Sequence, residues 1–280
     1  MRVAAIQLTS HSNVSENLEQ AAHWAEVAVS QGATLLTLPE NFACMGPEKD
    51  RLGIAETLPA MGAPLEDGAI GRWLTALARL HRVDIIASGM PERGPDDAHT
   101  FNTSVHVAPD GMLQAKYRKI HLFDVDLADG TKLEESRSVA PGQEPVVTVI
   151  DRPGAAPLRT GLAICYDVRF PELFRAMGEM RVVVLGAAFT VHTGRDHWLT
   201  LLQARAIENQ VYVIAPAQWG THDSKRISFG RSVIIDPWGT ILAQAPDRPG
   251  VIVAELDFAA QDEIRRRLPA LHHVKLNVLD

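Results

Sequence analysis

The chain alternates between short apolar runs and segments whose apolar residues recur at helical spacing. The run 2–8 predicts a strand, and the next segment predicts a helix that Ser12 or Asn13 caps and Gly32 ends. Further strands are predicted at 34–38, 84–89, 161–165, 182–185 and 211–215, helices at 70–81, 171–179 and 194–209, a hairpin from 101–108 and 112–119, and strand-rich segments at 231–236, 240–245 and 251–256. Apolar strands interleaved with helices indicate an α/β protein in which helices cover the sheets.

Cys165 ends the apolar run Gly-Leu-Ala-Ile-Cys, immediately before a predicted turn and helix at 166–175. At such a strand-to-helix turn a side chain is presented rather than packed, and the next backbone N–H groups point into the same volume. A thiol in this position supplies half of an acyl-transfer site. The alternative is a small buried hydrophobic residue, which is what most free cysteines are.

Two upstream runs also end on an ionisable side chain. The strand at 34–38 is followed by Pro39 and Glu40, and the segment Tyr-Arg-Lys-Ile-His-Leu-Phe at 117–123 places Lys119 at the end of another strand. Alone, the first would be an ordinary surface carboxylate and the second a solvated lysine. Their occurrence together with Cys165, each in a distinctive local sequence, favours one shared site over three unrelated residues.

The three segments, in this order, resemble the nitrilase superfamily of carbon–nitrogen hydrolases over essentially the whole chain. The stretch Cys-Tyr-Asp-Val-Arg-Phe-Pro-Glu-Leu at 165–173 resembles the Nit amidase branch, which includes ω-amidases and deaminated-glutathione amidases. The Trp-Glu pair that usually follows the cysteine in true nitrilases is absent. The resemblance implies a four-layer α-β-β-α sandwich of two six-stranded sheets.

Residue chemistry and the resemblance together assign roles in amide hydrolysis. An amide is a poor electrophile, so hydrolysis through a thioester requires a nucleophile, a proton acceptor, oxyanion donors and an acid for the leaving ammonia. Cys165 is the expected nucleophile, and Glu40 the general base that later protonates the leaving group and activates water. Lys119 and the backbone N–H of Tyr166 are expected beside the oxyanion. Lys119 is also expected to help hold Cys165 and Glu40 as charged species.

A second glutamate is implied by the resemblance. Relatives in the Nit branch carry an apolar-x-Glu-Ser pattern ahead of a Pro-Gly pair, and here Leu-Glu-Glu-Ser at 133–136 precedes Pro-Gly at 141–142. This alignment selects Glu135, whose implied role is to position Lys119 and to assist proton transfer near the substrate amide. The alternative is that Glu135, like Glu134, is only an exposed loop carboxylate.

Composition is compatible with one hydrolase domain spanning 1–280. At 280 residues, 46% hydrophobic and 22% charged, the chain can bury a large core, and no linker, low-complexity run or repeat divides it. The net charge of -7 gives no indication of nucleic-acid binding, and the basic run 265–267 is expected to be a solvated helix face. Two cysteines, without a signal-type or membrane-length apolar segment, favour a cytoplasmic protein with no membrane partner.

Neither a metal nor a cofactor is expected. The 11 histidines form no spaced set typical of a metal site, and the glycines form neither Gly-x-Gly-x-x-Gly nor a phosphate loop. His121, beside the lysine motif, is expected to support its loop. Cys44 is expected to be a packed or half-exposed thiol rather than a second nucleophile.

The substrate class is less determined than the reaction. The stretches 215–226 and 229–232 resemble the deaminated-glutathione amidases more than the ω-amidases. Both substrates are α-keto acid amides that carry carboxylates, so a cation is expected in the pocket, and the available side chains are Arg169, Arg195, Lys225 and Arg226. A nitrilase or an N-carbamoyl amino acid amidohydrolase on the same scaffold is the second hypothesis, and a non-catalytic binding or scaffolding protein is the third.

The resemblance also implies a homodimer or a higher oligomer formed through a helical face. The expected face combines the helix after Cys165 with the helix 194–209, whose apolar residues Trp198, Leu201, Leu202 and Ile207 could equally belong to the monomer core. The chain departs from the branch at Gly-Ala-Ala-Phe, 186–189, and in its tail, 274–280, which leaves the pocket lip and the role of the tail open.

Overall fold

The computed structural model describes residues 1–47, 50–126, 132–223 and 226–276. Its strands are β1 (Arg2–Gln7), β2 (Leu35–Leu38), β3 (Asp84–Arg93), β4 (Thr100–Val107), β5 (Leu113–Arg118), β6 (Asp124–Asp126), β7 (Lys132–Glu134), β8 (Val146–Ile150), β9 (Leu158–Ile164), β10 (Val182–Gly186), β11 (Tyr212–Ala215), β12 (Trp219–Thr221), β13 (Ile227–Phe229), β14 (Val233–Ile235), β15 (Ile241–Gln244) and β16 (Gly250–Glu255). Its α-helices are α1 (Val14–Ser30), α2 (Asp50–Ile54), α3 (Ala69–His81), α4 (Pro171–Ala176), α5 (Val191–Asn209) and α6 (Phe258–Arg267), and short 3₁₀ helices span Glu135–Arg137, Cys165–Arg169 and Ala270–His273.

Two six-stranded sheets form the centre of the fold, in the orders β16-β1-β2-β3-β4-β5 and β15-β14-β11-β10-β9-β8. Within them β1, β2 and β3 are parallel, as are β9, β10 and β11. The apolar face of α1 and α3 packs on the first sheet, whereas residues of α4 and α5 pack with the second sheet in a cluster that also contains first-sheet residues. The four-layer α-β-β-α sandwich is therefore confirmed.

Local sequence explains how α1 begins and ends. The Asn13 side chain accepts hydrogen bonds from the backbone N–H groups of Ser15 and Glu16, at 3.0 and 3.4 Å, so Asn13 rather than Ser12 is the N-cap. At the other end Gly32 adopts φ 84°, a left-handed conformation that glycine tolerates, as predicted.

Several elements differ from the predictions. β3 continues past residue 89 to Arg93 because the ladder to β4 shifts at a bulge that contains Gly89 and then resumes through Pro91. The segment after Cys165 forms a 3₁₀ helix before α4, which ends at Ala176, and Gly178 then takes φ 65°. The strand β8 was not predicted, and of the helix α6 only the run 265–267 was expected to be helical.

The basic run 265–267 is only in part a solvated face. Arg266 and Arg267 are exposed and pair with Glu263, as expected. Arg265 is half-buried and donates to the backbone carbonyls of Met180 and Gln210, at 2.6 and 3.1 Å. The prediction was wrong for Arg265 because α6 packs against the ends of neighbouring elements.

The apolar residues of α5 divide between core and surface. Trp198 and Leu202 are completely buried and Leu201 is partly buried against the same cluster, whereas Ile207 is 52% exposed. Most of the apolar face of α5 therefore serves the core. Among the described residues, no helix combines the length and the apolar character that a membrane crossing would need.

Candidate active site

Cys165 stands at the carboxyl end of β9, where the strand turns into a 3₁₀ helix. Its φ is 48°, a left-handed value that is uncommon for a residue with a side chain and that marks backbone strain at the turn. The residue is only 6% exposed, so the thiol lies at the bottom of the site and is more enclosed than the sequence predicted. The first N–H groups of this short helix have no acceptor from a preceding turn.

Glu40 follows β2 and is held by an unusually close approach of β3. The Gly89 bulge lies so near that a Cβ there would be 2.0 Å from the backbone N of Asn41, so only glycine fits. The carboxylate is 4% exposed and accepts from three donors, the Ala188 N–H at 3.0 Å, the Asn102 amide at 2.9 Å and the Lys119 ammonium at 3.0 Å.

Lys119 lies between two carboxylates. Its Nζ is 3.0 Å from Glu40 Oε1 and 2.8 Å from Glu135 Oε2, and the residue is 2% exposed. Burial alone would lower the pKa of this ammonium, but the charges of Glu135 and Glu40 outweigh it and raise the pKa of Lys119 above its usual value. The side chain is therefore a fixed cation inside the site.

Glu135 accepts hydrogen bonds from the Lys119 ammonium, the Asn102 amide at 2.9 Å and the backbone N–H of Phe123 at 2.8 Å. Burial opposes ionisation, yet the Lys119 cation and these donors lower the pKa of Glu135 to about 2. The neighbouring Glu134 points elsewhere and pairs with Arg137. The geometry thus brings Glu135, and not Glu134, to the lysine.

The surroundings of Cys165 favour the neutral thiol over the thiolate. Burial and the adjacent Glu40 carboxylate raise its pKa well above the usual value, against the opposing effects of Lys119 and of the Ala188 N–H. Desolvation and Glu40 thus act against the thiolate while Lys119 favours it, and the role of Lys119 in holding Cys165 as a charged species stays a prediction.

Two buried residues of the site were not predicted. Asn102, in β4, donates to both Glu40 and Glu135 through the same Nδ2 atom. Asp167, completely buried, accepts from Tyr117 Oη at 2.7 Å, from His121 Nδ1 at 2.7 Å and from Ile164 N at 2.8 Å. The only sequence signal for Asp167 was its place in the cysteine motif. Asn102 is a neutral residue within a strand, and the sequence contained no signal for its role.

The remaining residues from the sequence lie around this cluster. Tyr166 directly follows the cysteine, and its ring contacts those of Phe123 and Phe170 at centroid distances of 4.9 and 5.2 Å. His121 stacks on Phe170 at 3.7 Å, in agreement with a supporting role. Cys44 is 8% exposed, with its thiol 3.8 Å from the Ser12 carbonyl.

The four cations proposed for the substrate carboxylate have different environments. Arg169 lies over the rings of Tyr166 and Phe189 and close to His197, Arg195 is exposed on α5, and Arg226 is half-buried. Lys225 lies outside the described residues. Within the described ranges, no group of three or more His, Cys, Asp or Glu side chains could hold a metal ion.

The sequence profile of the carbon-nitrogen hydrolase family matches residues 2–266. The chain belongs to the carbon–nitrogen hydrolase family. It is 44% identical over 274 residues to a deaminated glutathione amidase from Synechocystis sp., with 96% of each chain covered. The chain is thus an enzyme of amide hydrolysis within the nitrilase superfamily.

Solved structures agree with this membership. Nit3 from Saccharomyces cerevisiae, a member of branch 10 of the nitrilase superfamily, has a TM-score of 0.81 and 30% identity, covering 96% of this chain and 94% of Nit3. The Caenorhabditis elegans NitFhit protein has a TM-score of 0.84 and 35% identity over 98% of this chain, which spans 65% of the NitFhit chain. The similarity extends across both sheets of the sandwich.

Proposed function

We propose that Cys165 is the nucleophile, Glu40 the general acid and base, Lys119 the oxyanion cation, and Glu135 the residue that positions Lys119. The observation that carries this proposal is the buried cluster in which Lys119 bridges the two carboxylates while Glu40 adjoins the thiol. A neutral thiol beside a carboxylate can act as a nucleophile once its proton is transferred.

In acylation, the Cys165 sulfur attacks the amide carbon while Glu40 accepts the thiol proton. The negative charge that forms on the carbonyl oxygen is stabilised by Lys119 and by the backbone N–H of Tyr166. The C–N bond then breaks as Glu40 returns the proton to the leaving nitrogen. The products of this step are an acyl thioester on Cys165 and a free amine, which is ammonia when the substrate is a primary amide.

Deacylation repeats the same steps with water. Glu40 removes a proton from a water molecule that attacks the thioester carbon, and Lys119 again faces the oxyanion. The thiolate leaves and recovers its proton from Glu40, so the starting state is restored. Because one carboxylate serves in every proton transfer, its fixation by Asn102 and Ala188 keeps it within reach throughout.

The proposed substrate is a small amide whose acyl part is an α-keto acid, of the deaminated glutathione type. The support is the 44% identity to the Synechocystis sp. amidase over nearly the full length of both chains. In that compound the amide nitrogen belongs to a cysteinylglycine unit, so the leaving group would be this dipeptide rather than ammonia. An ω-amidase-type primary amide is the related alternative.

A substrate panel tests this proposal. It should contain deaminated glutathione, α-ketoglutaramate, a simple nitrile and an N-carbamoyl amino acid, with the acid and amine products both quantified. We expect the highest kcat/KM with one of the two keto-acid amides. A preference for the nitrile, or release of carbon dioxide from the carbamoyl compound, would support the other hydrolases instead, and the absence of turnover and of thiol labelling would support a binding protein.

Replacement of the nucleophile is the direct test of the mechanism. Cys165→Ala should abolish turnover of the best substrate while the unfolding midpoint stays close to that of the wild type, because the side chain is small. Cys165→Ser should also be very weak, since a hydroxyl is far harder to deprotonate than a thiol. Near-native turnover by the alanine variant would refute the mechanism.

We also propose a cytoplasmic homodimer in which residues 1–280 act as one hydrolase domain. Support for the single domain comes from the profile match over 2–266 and from the cluster that joins both sheets. Support for the dimer comes from an exposed apolar patch at the end of α5, formed by Ile207, 52% exposed, and Trp238, 62% exposed. The Ile207 side chain lies against the turn that carries Trp238, since a Cβ on Gly239 would come within 2.7 Å of it.

A further inference from the structure

Arg51, in α2, has a buried guanidinium that is only partly satisfied. Its Nη1 donates to Asn41 Oδ1 at 2.6 Å, and Asn41 directly follows Glu40. Its Nε and Nη2 are inaccessible to solvent and have no hydrogen-bond partner among residues 1–47, 50–126, 132–223 and 226–276. Buried donors of a charged group are costly to leave unpaired, so their presence here requires an explanation.

The two unpaired atoms, Nε and Nη2, form the edge of the guanidinium through which arginine makes two parallel hydrogen bonds to a planar anion. Nε–H and Nη2–H point in parallel and match the two oxygens of a carboxylate. The same chain shows this pairing at Arg118, whose Nε and Nη2 lie 2.9 and 2.7 Å from the two carboxylate oxygens of Glu92. Arg51 presents the same pair of N–H groups, but no carboxylate of the described residues pairs with them. Its third nitrogen, Nη1, is held by Asn41.

The surroundings of Arg51 place it at the catalytic cluster. Burial lowers the pKa of its guanidinium below the usual value, and the charges of Glu135 and Glu40 are the strongest influences that oppose this. Those two carboxylates bond Lys119 and Asn102, and neither is a hydrogen-bond partner of Nε or Nη2 of Arg51. The group remains a cation, because arginine does not lose its proton in proteins.

We propose that Arg51 binds, through Nε and Nη2, a carboxylate on the acyl part of the amide substrate. This inference rests on the proposed amidase function and adds the residue that selects an anionic acyl group. A bidentate ion pair in a water-excluded site orients the acyl chain and thereby the carbonyl carbon relative to Cys165. Because the acyl part stays on Cys165 in the thioester, the same contact operates in both half-reactions, whatever amine leaves.

The kinetic test compares two amides of equal chain length, glutaramate, which carries a carboxylate, and pentanamide, which is neutral. In Arg51→Met, kcat/KM for glutaramate should fall about a hundredfold, a loss of the size expected for a buried charge-assisted contact, whereas kcat/KM for pentanamide should stay within about twofold. Arg51→Lys should keep part of the preference, since it retains the charge but not the fork. Arg72→Met, which removes an exposed arginine of α3, is the matched control and should change neither value.

A binding test separates this inference from the proposed function, because it requires no turnover. Glutarate is titrated calorimetrically into Cys165→Ala and into Cys165→Ala/Arg51→Met. Binding that disappears only in the double variant supports Arg51 even if the wild type hydrolyses no amide, in which case the proposed function fails alone. Equal losses with glutaramate and pentanamide, or unchanged glutarate binding in the double variant, would overturn the role of Arg51 and leave amide hydrolysis standing.

Discussion

At the scale of single residues, the site is organised around one cation and the two carboxylates that hold it. Lys119 is buried between Glu40 and Glu135, each within 3.0 Å of its Nζ. Burial and the adjacent Glu40 carboxylate raise the pKa of the Cys165 thiol, against the opposing effect of Lys119. The developing oxyanion must therefore interact with Lys119 more strongly than the resting thiol does, and this difference is what lowers a barrier.

Removal of the Lys119 charge should affect the chemical step. Lys119→Ala should lower kcat by at least about a hundredfold, the scale observed when an oxyanion donor is removed. Lys119→Arg should not restore it, because guanidinium is larger and planar and does not fit between Glu40 and Glu135. The measurement is steady-state kcat on the best amide, and near-normal rates in the arginine variant would show that this position carries no oriented charge.

Glu135 should matter for acylation, whereas its neighbour should not. Glu135→Ala should slow acylation strongly because Lys119 loses a hydrogen-bond partner. Glu135→Gln should lower the acylation rate less, because its side-chain oxygen can still accept a hydrogen bond from Lys119. Glu134→Ala is the control and should be almost silent, since that carboxylate pairs with Arg137 outside the cluster. Single-turnover rates of amine release compare the three variants, and equal effects at Glu134 and Glu135 would refute the assignment.

The same carboxylate should make stability depend on pH. The pKa of Glu135 is lowered to about 2 in the folded protein, from about 4.3 in an unfolded chain. Its contribution is therefore complete above about pH 4.3 and is lost as the pH falls towards 2. Urea unfolding should show a constant stability difference between wild type and Glu135→Gln at pH 5–8, narrowing below pH 4. A gap that widens on acidification would contradict the ion pair.

At the scale of elements, Asp167 couples the strand that carries the lysine to the turn that carries the cysteine. Its carboxylate accepts from Tyr117 and His121, two residues before and two after Lys119, and from Ile164, which precedes Cys165. The Tyr117 hydroxyl has a raised pKa because of its burial and the charge of Asp167, so it remains a donor. This single side chain sets the relative position of nucleophile and cation.

Asp167→Asn should uncouple those elements while preserving side-chain shape. Two of the donors lose their acceptor, because Oδ2 accepts from Tyr117 and Ile164 and Oδ1 accepts twice from His121. We therefore expect kcat to fall about tenfold or more with little change in KM, since misplacement of a reacting group by a fraction of an ångström is costly. The rate at which iodoacetamide alkylates Cys165 should change in parallel. Asp196→Asn, at an exposed position of α5, serves as control, and a change confined to the unfolding midpoint would limit Asp167 to a structural role.

The sequence patterns predicted the site residues that follow the end of a strand, but not the site residues that lie within a strand or a short helix. Glu40 and Cys165 follow β2 and β9, and the breaks after those apolar runs made both positions visible. Asn102 is 62 residues from Glu40, and its contact arises from the register of β4 in the first sheet. Arg51 lies in a five-residue helix with no apolar periodicity. Such contacts depend on long-range packing, which a local pattern does not encode.

At the scale of the whole molecule, two parallel strand sets bring their carboxyl ends together across the sheet interface. β2 belongs to the first sheet and β9 and β10 to the second, yet Glu40, Cys165 and Ala188 meet there. Close packing of the sheets requires a small residue at Gly186, where a Cβ would lie 2.4 Å from Ser88 Cβ. The alternation of strands and helices predicted sheets covered by helices, whereas the four layers and the two six-stranded sheets were implied by the resemblance.

We expect the dimer interface to lie on the helical layer that contains α5 and not on the opposite layer that contains α3. Ile207, on α5 beside Trp238, is 52% exposed, and Leu80, on α3 in the opposite outer layer, is 73% exposed. If the α5 face pairs two copies, Ile207→Asp should convert the dimer to a monomer, because a two-fold interface buries the substituted charge twice. Leu80→Asp should leave the assembly intact although it introduces the same charge at a more exposed site. Sedimentation velocity over a range of protein concentrations measures both, and dissociation by Leu80→Asp but not Ile207→Asp would assign the interface to α3 instead.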